Sequence, residues 1–292
     1  MSNSETRAVV KRFYGSSAIV CLSDNTEQTA QTNSRNKSLV CGDEVALEWR
    51  AGGYYVVDTK PRRTEFSRTD GFGRRKIIAA NVDQIALVVA PVPEPHFNVI
   101  DRYWVAARNC SIPMILVVNK SDVETTKRLQ EITNLYSSLG LEICWVSAES
   151  GDGLDKLKER LTKKVSVLVG QSGAGKSSLV NKLCANASAS VGELSNIKEE
   201  GKHTTTTTNF FELTEGGRIM DSPGIREFGL SHYDQASLEL GFIEISAAAV
   251  NCRFRNCVHQ GTAGCAAEAL AKTGEIDPRR LQSYQTLLAQ IS

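Results

Sequence analysis

The run Gly170-Gln171-Ser172-Gly173-Ala174-Gly175-Lys176-Ser177-Ser178 constrains this chain more than any other stretch. It has the form G-x-x-x-x-G-K-[ST]. The apolar run 165–169 precedes it, and Leu179, Val180 and Leu183 follow at helical spacing. Strand, glycine-rich loop and helix form the setting in which backbone N–H groups curl around phosphates and a helix dipole faces an anion. Lys176 is then placed to reach the β- and γ-phosphates of a nucleotide, and the Ser177 hydroxyl to bind Mg²⁺. A mere glycine-rich turn with a solvated lysine would need neither flanking element.

Such a loop does not separate adenine from guanine. Asn119-Lys120-Ser121-Asp122 follows the apolar run 114–118, where an aspartate can accept hydrogen bonds from guanine N1–H and its exocyclic amine. Adenine lacks those donors and would leave the carboxylate unmatched. Lys120 can lie along the base, and Asn119 can brace the loop. Ser147-Ala148 ends the next expected strand, 143–146, and could offer the Ala148 N–H to guanine O6. Asp221-Ser222-Pro223-Gly224 matches a D-x-x-G switch, with Asp221 holding Mg²⁺ through water and the Gly224 N–H sensing the γ-phosphate. Gly201-Lys202-His203-Thr204-Thr205-Thr206 supplies hydroxyls for the other switch, with Thr204 or Thr205 expected on Mg²⁺ and the γ-phosphate.

The order of these pieces is unusual. Base recognition comes first, and the phosphate loop and switches follow, so the set is complete but circularly permuted. The second switch leads straight into the C-terminal part. Residue Ile225 follows Gly224 where Ras-like enzymes carry a water-orienting glutamine, and an isoleucine cannot polarise water. His203 is the candidate catalytic group; packing or RNA contact is its alternative role.

Around this centre, residues 1–60 read as short strands at 8–10, 17–22, 39–40, 45–49 and 54–58, with a polar Ser/Asn/Thr/Gln stretch as a separator. Five such strands suggest an OB-like β-barrel. Residues 61–80 read as a basic linker: Arg62, Arg63, Arg68, Arg74, Arg75 and Lys76 crowd there, loosened by Gly71 and Gly73. It is either a phosphate-following segment or a solvated tether. Residues 81–230 alternate strands and helices, as in an α/β domain with a mostly parallel sheet and helices on both faces. Residues 231–292 read as helical.

Within that last part, Cys252-x4-Cys257-x-His259-x5-Cys265 gathers three thiols and an imidazole, a full tetrahedral set for one structural Zn²⁺. The neighbours Arg253, Arg255, Asn256 and Gln260 are too polar for a core of buried free thiols. Cys21, Cys41, Cys110, Cys144 and Cys184 read instead as small core residues. The net charge is +1 and names no partner. No apolar run approaches the roughly 20 residues of a membrane span, and the first residues lack a signal-peptide pattern. The expected setting is cytoplasmic, with no membrane contact and reduced thiols.

Taken together, NKSD, SA, GQSGAGKSS, GKHTTT and DSPG in this order, with a small barrel before and the Cys/His cluster after, resemble the RsgA family of circularly permuted GTPases. The resemblance implies a multidomain chain that hydrolyses GTP under stimulation by the small ribosomal subunit, acting late in its maturation. It further implies that the barrel and zinc part touch ribosomal RNA, that His203 handles the attacking water, and that the chain works as a monomer. The alternative is a nucleotide-gated RNA-binding module in which hydrolysis is incidental.

Overall fold

A computed structural model describes residues 6–33, 38–70, 72–184, 209–221 and 229–291. At the N-terminus, β1 (Thr6–Phe13), β2 (Ser17–Leu22), β3 (Glu27–Gln31), β4 (Glu44–Arg50) and β5 (Gly53–Thr59) close a barrel in the order β1-β2-β3-β5-β4. The five-strand expectation holds, but the third strand is Glu27–Gln31 and not 39–40. Only Ala30 of β3 points into the core, so its polar sequence hid it. Leu39 is buried without being in a strand, because Val40 N–H caps the Asp43 carboxylate at 2.8 Å and Gly42 turns the chain at φ 92°. A Cβ on Gly42 would lie 2.1 Å from the Ala80 carbonyl oxygen.

The expected basic linker is an antiparallel hairpin, β6 (Glu65–Thr69) with β7 (Arg75–Ala80). Phe66 is fully buried, which anchors it. Much of its charge is matched at short range. Arg62 makes a two-pronged pair with Asp43 at 2.7 and 2.9 Å, and Arg63, Arg74 and Arg75 meet Asp83, Asp70 and Glu65. Clustered arginines with interleaved acids therefore read as a loose cationic tether in sequence and as a stitched hairpin in space.

Next come β8 (Gln84–Val89), α1 (Phe97–Asn109), β9 (Met114–Val118), α2 (Lys127–Ser138), β10 (Glu142–Trp145), α3 (Leu154–Leu161), β11 (Val165–Gly170), α4 (Lys176–Leu183), β12 (Asn209–Glu212) and β13 (Arg218–Asp221). They form one sheet in the order β10-β9-β8-β11-β13-β12, parallel except for β12. Every residue of β8 and β9 is buried, as strands covered on both faces must be. Alternation sorts them: Ile85, Leu87, Leu116 and Val118 face α1 and α2, while Ala86, Val88, Ile115 and Val117 face α3 and α4.

The C-terminal part is α5 (Gln235–Glu239), α6 (Ile243–Ala249), α7 (Ala266–Thr273) and α8 (Pro278–Ile291). These helices share the α1-side core through Leu238, Phe242, Ile245, Tyr284 and Leu287. At their junction Arg280, fully buried, bonds Asp101 of α1 and Glu244 of α6, under the rings of Phe242, Trp104 and Tyr136. Tyr136 donates to the same Asp101 at 2.6 Å. Asp101→Ala would leave Arg280 Nη1 and the buried Tyr136 hydroxyl without their shared acceptor while Glu244 still pairs with the guanidinium, so unfolding should become easier by about 1–3 kcal/mol. A melting curve checks this; an unchanged midpoint would contradict the role. Among the described residues no helix is long and apolar enough to cross a membrane.

Candidate nucleotide site and metal cluster

Parallel strands bring the sequence-predicted pieces to one edge of the sheet. The loop 170–175 leaves the carboxyl end of β11, which lies between β8 and β13. Residues 119–122 leave the end of β9, Ser147 and Ala148 follow β10, and Asp221 ends β13. Ligands of open α/β sheets bind at this carboxyl edge.

The glycines of the phosphate loop are required by contact. A Cβ on Gly170 would meet the Val88 carbonyl oxygen at 2.1 Å, and one on Gly175 the Asn119 amide at 2.2 Å. Lys176 folds back over the loop, its Nζ donating to the carbonyls of Gly170 and Gln171 at 2.9 Å each. Burial pulls the lysine pKa below its ordinary value, and the Asp221 carboxylate opposes that shift. Ser177 and Ser178 lie exposed on the first turn of α4, as a hydroxyl that binds a cation must.

Asn119 knits the site. Its Nδ2 donates to the Ala174 carbonyl at 2.9 Å, and its Oδ1 accepts from the Ala148 N–H at 3.1 Å. One side chain thus couples the phosphate loop to both base-recognition pieces, and the Ala148 amide expected on guanine O6 here bonds Asn119. Ser147, fully buried, donates to the Asp122 carboxylate and accepts from the Glu149 and Ser150 N–H groups at 3.1 and 3.0 Å. Ser147 therefore orients Asp122. Lys120 sits at φ 61°, an uncommon conformation for a residue with a Cβ, and its Nζ donates to the Val92 carbonyl at 2.7 Å.

That last contact belongs to a part sequence reasoning missed. The segment Pro91-Val92-Pro93-Glu94-Pro95 runs from β8 past the phosphate loop, with Pro93 against Gly173. Glu94 accepts from Thr126, the N-cap of α2, at 2.6 Å. Three prolines in five residues were the available signal. His203, Thr204, Thr205 and Gly224 lie outside the described residues.

The Cys/His cluster is brought together as expected. The donor atoms of Cys252, Cys257, His259 and Cys265 all lie within 4.8 Å of one another. His259 Nδ1 is 3.3 Å from Cys265 Sγ and 3.6 Å from Cys252 Sγ. Burial lowers the imidazole pKa, favouring the neutral form that binds metals. Burial also pushes the Cys265 thiol up to about 12, so ionising that thiol calls for a compensating cation. The start of α7 lends donors to sulfur: Ala266 N–H to Cys252 at 3.3 Å and Glu268 N–H to Cys265 at 3.4 Å. Gln235 and Gln285 hold the Cys257 and His259 carbonyls, tying the loop to α5 and α8. The donor set fits a metal ion.

The sheet, the phosphate loop at its centre and the motif order define a circularly permuted P-loop GTPase. The profile of the RsgA GTPase family matches residues 59–231. The small ribosomal subunit biogenesis GTPase RsgA of Pseudomonas fluorescens is 45% identical over 260 residues, 87% of this chain and 75% of that protein. Its counterpart in Ectopseudomonas mendocina is also 45% identical over 260 residues, with the same coverage. The crystal structure of YjeQ from Thermotoga maritima superposes with a TM-score of 0.76 at 25% identity, covering 99% of each chain. YloQ, a circularly permuted GTPase, gives 0.72 at 20% identity, covering 99% of this chain and 95% of its own. This chain belongs to the RsgA GTPase family, and is a GTP hydrolase.

Proposed function

We propose that this chain hydrolyses GTP to GDP and phosphate under stimulation by the small ribosomal subunit, late in the maturation of that subunit. The observation that carries the reading is the 45% identity, over 87% of the chain, to relatives named for small-subunit biogenesis. Guanine is read by Asp122, with Asn119, Lys120, Ser121, Ser147 and Ala148 around it. Residues 170–178 cradle the phosphates. Mg²⁺, which GTPases of this class use, would be held by Ser177 and Thr204 directly and by Asp221 through water, with Gly224 and Thr205 on the γ-phosphate side. His203 orients the attacking water. The working parts are the barrel (1–60), the hairpin segment (61–80), the GTPase part (81–230) and the metal part (231–292). The partner is small-subunit RNA, met by a cytoplasmic monomer without membrane contact.

The reading is tested by co-sedimentation with small, large and joined ribosomal particles in GDP and in a non-hydrolysable GTP analogue. Binding to small subunits that depends on the analogue supports it; equal binding to all particles in both states overturns it.

The cluster ion is structural Zn²⁺, since four protein donors leave no open position and thiolate-rich sets favour it. Elemental analysis should find about one zinc per chain. Cys257→Ala should lose it together with the protease resistance of α5–α8. A zinc-free variant with the parent melting curve would contradict a structural role.

A further inference from the structure

Two loops leave neighbouring parallel strands at the carboxyl edge of the sheet, one after β8 and one after β9. The second carries Asn119-Lys120-Ser121-Asp122, and the first meets it at three places. Where both begin, the Asn119 N–H donates to the Val89 carbonyl at 2.8 Å. Further out, Lys120 Nζ donates to the Val92 carbonyl at 2.7 Å. At the far end the Thr126 hydroxyl donates to Glu94 Oε1 at 2.6 Å, and Arg128 pairs with Glu94 Oε2 at 3.5 Å. Asp122 lies in the chain between the last two links, so the loop that carries it is tied down on both sides.

Glu94 is the one polar side chain in Pro91-Val92-Pro93-Glu94-Pro95. The three prolines have no N–H to donate, so a backbone ladder cannot hold the segment. Pro93 rests on the phosphate loop, its Cδ 3.3 Å from where a Cβ on Gly173 would stand, but that contact has no direction. The carboxylate supplies direction. Its partner Thr126 is the N-cap of α2, where the same hydroxyl oxygen accepts the Leu129 N–H at 3.1 Å. Glu94 thus fastens the segment to a helix start that is itself fixed. The Lys120 stem passes over the phosphate loop, with Cε 4.0 Å from where a Cβ on Gly175 would stand. Its backbone, at φ 61°, persists only where neighbours hold it, and the Val92 carbonyl is the acceptor that holds its ammonium.

We propose that Glu94 is a positioning residue for guanine nucleotide: through Thr126 and the Val92 carbonyl it holds Lys120 and the loop of Asp122 in the binding geometry before the nucleotide arrives. The proposal rests on the reading of Asp122 and Lys120 as guanine-binding residues. The carboxylate itself touches no nucleotide atom. It removes freedom from the loop in advance, and a loop left loose would subtract its ordering cost from the affinity. The effect is one-sided. Affinity and residence time of guanine nucleotides depend on Glu94, whereas the chemical step on bound GTP does not, because neither Glu94 nor its partners belong to the groups proposed to act on the γ-phosphate.

On the full chain, GDP affinity is measured by calorimetric titration and GDP release by chasing radiolabelled GDP with unlabelled GDP. Glu94→Ala should bind GDP about 10-fold more weakly, the size of one hydrogen bond to a charged group, with most of the change in faster release. Glu94→Gln keeps an oxygen for the Thr126 hydroxyl and should recover most of the affinity. The KM for GTP should rise with the loss of affinity while kcat stays within about twofold. Lys120→Ala separates positioning from general stability: in that background, removing Glu94 should cost no more than about threefold. Where the alanine variant does not fold, Glu94→Asp repeats the test, since it keeps the charge but withdraws it by one methylene; it should release GDP faster than Glu94→Gln. Parent-like GDP binding by Glu94→Ala overturns the proposal. So does an equal loss with and without Lys120, or a Glu94→Gln variant no better than the alanine or aspartate one. Parent-like guanine affinity in Asp122→Asn overturns the base reading as well; failure at Glu94 alone leaves that reading standing.

Discussion

His203→Ala is expected to lower small-subunit-stimulated GTP turnover by roughly 10²–10⁴, the range for a positioned proton-handling or water-orienting side chain. In the sequence, Ile225 puts a hydrocarbon at the position where Ras-like enzymes carry a water-orienting amide. Some other group must place the attacking water, and the threonine-rich stretch proposed to bind Mg²⁺ and the γ-phosphate carries His203 directly before its first threonine, Thr204. The loss should fall on kcat with little change in KM, since the interaction forms only in the transition state. Thr204→Ala should differ by weakening the GTP-bound state and subunit docking as well. Stopped-flow phosphate release on small subunits reads the first effect. A normal rate for His203→Ala would move the catalytic group elsewhere.

Asp122→Asn should weaken GTP binding on the order of 10²-fold and turn preference towards xanthine nucleotides, as expected when a site built for specific hydrogen bonds meets the wrong partner. The local geometry gives the direction. The Ser147 hydroxyl donates to one oxygen of Asp122 and is itself fixed by two backbone N–H groups. In the variant that hydroxyl would select the amide oxygen and leave the NH₂ facing the base. Guanine presents donors there, whereas xanthine presents a carbonyl. Titration with GDP, GTP and their xanthine counterparts checks both halves, and unchanged guanine affinity would remove this loop from base recognition.

What could be read in advance followed from local chemistry. The phosphate loop, NKSD, SA and the Cys/His set each combine residue types whose spacing has few other uses, and all four landed where their flanking strands and helices put them. Central strands such as β8 and β9 were equally plain, because burial on both faces demands an unbroken apolar run. The misses share one cause, which is partnership across the chain. β3 is polar at four of its five positions and exists because β2 and β5 flank it. The basic stretch 61–80 looked like a tether because its acids lie at 43, 65, 70 and 83, partly outside it. The proline segment 91–95 carries no chemistry of its own. It matters because the Val92 carbonyl happens to receive Lys120. The junction at Arg280 gathers residues from α1, α2, α6 and α8, which no local pattern joins.

The central claim is that the nucleotide site and the small ribosomal subunit form one catalytic system. It is tested most directly by the steady-state GTP turnover of the full chain alone, with purified small subunits, and with large subunits at the same concentration. The account predicts slow intrinsic turnover, a rise of at least about 10-fold with small subunits, the signature of a barrier lowered by well over 1 kcal/mol, and no comparable rise with large subunits. Turnover that is the same in all three mixtures would contradict it.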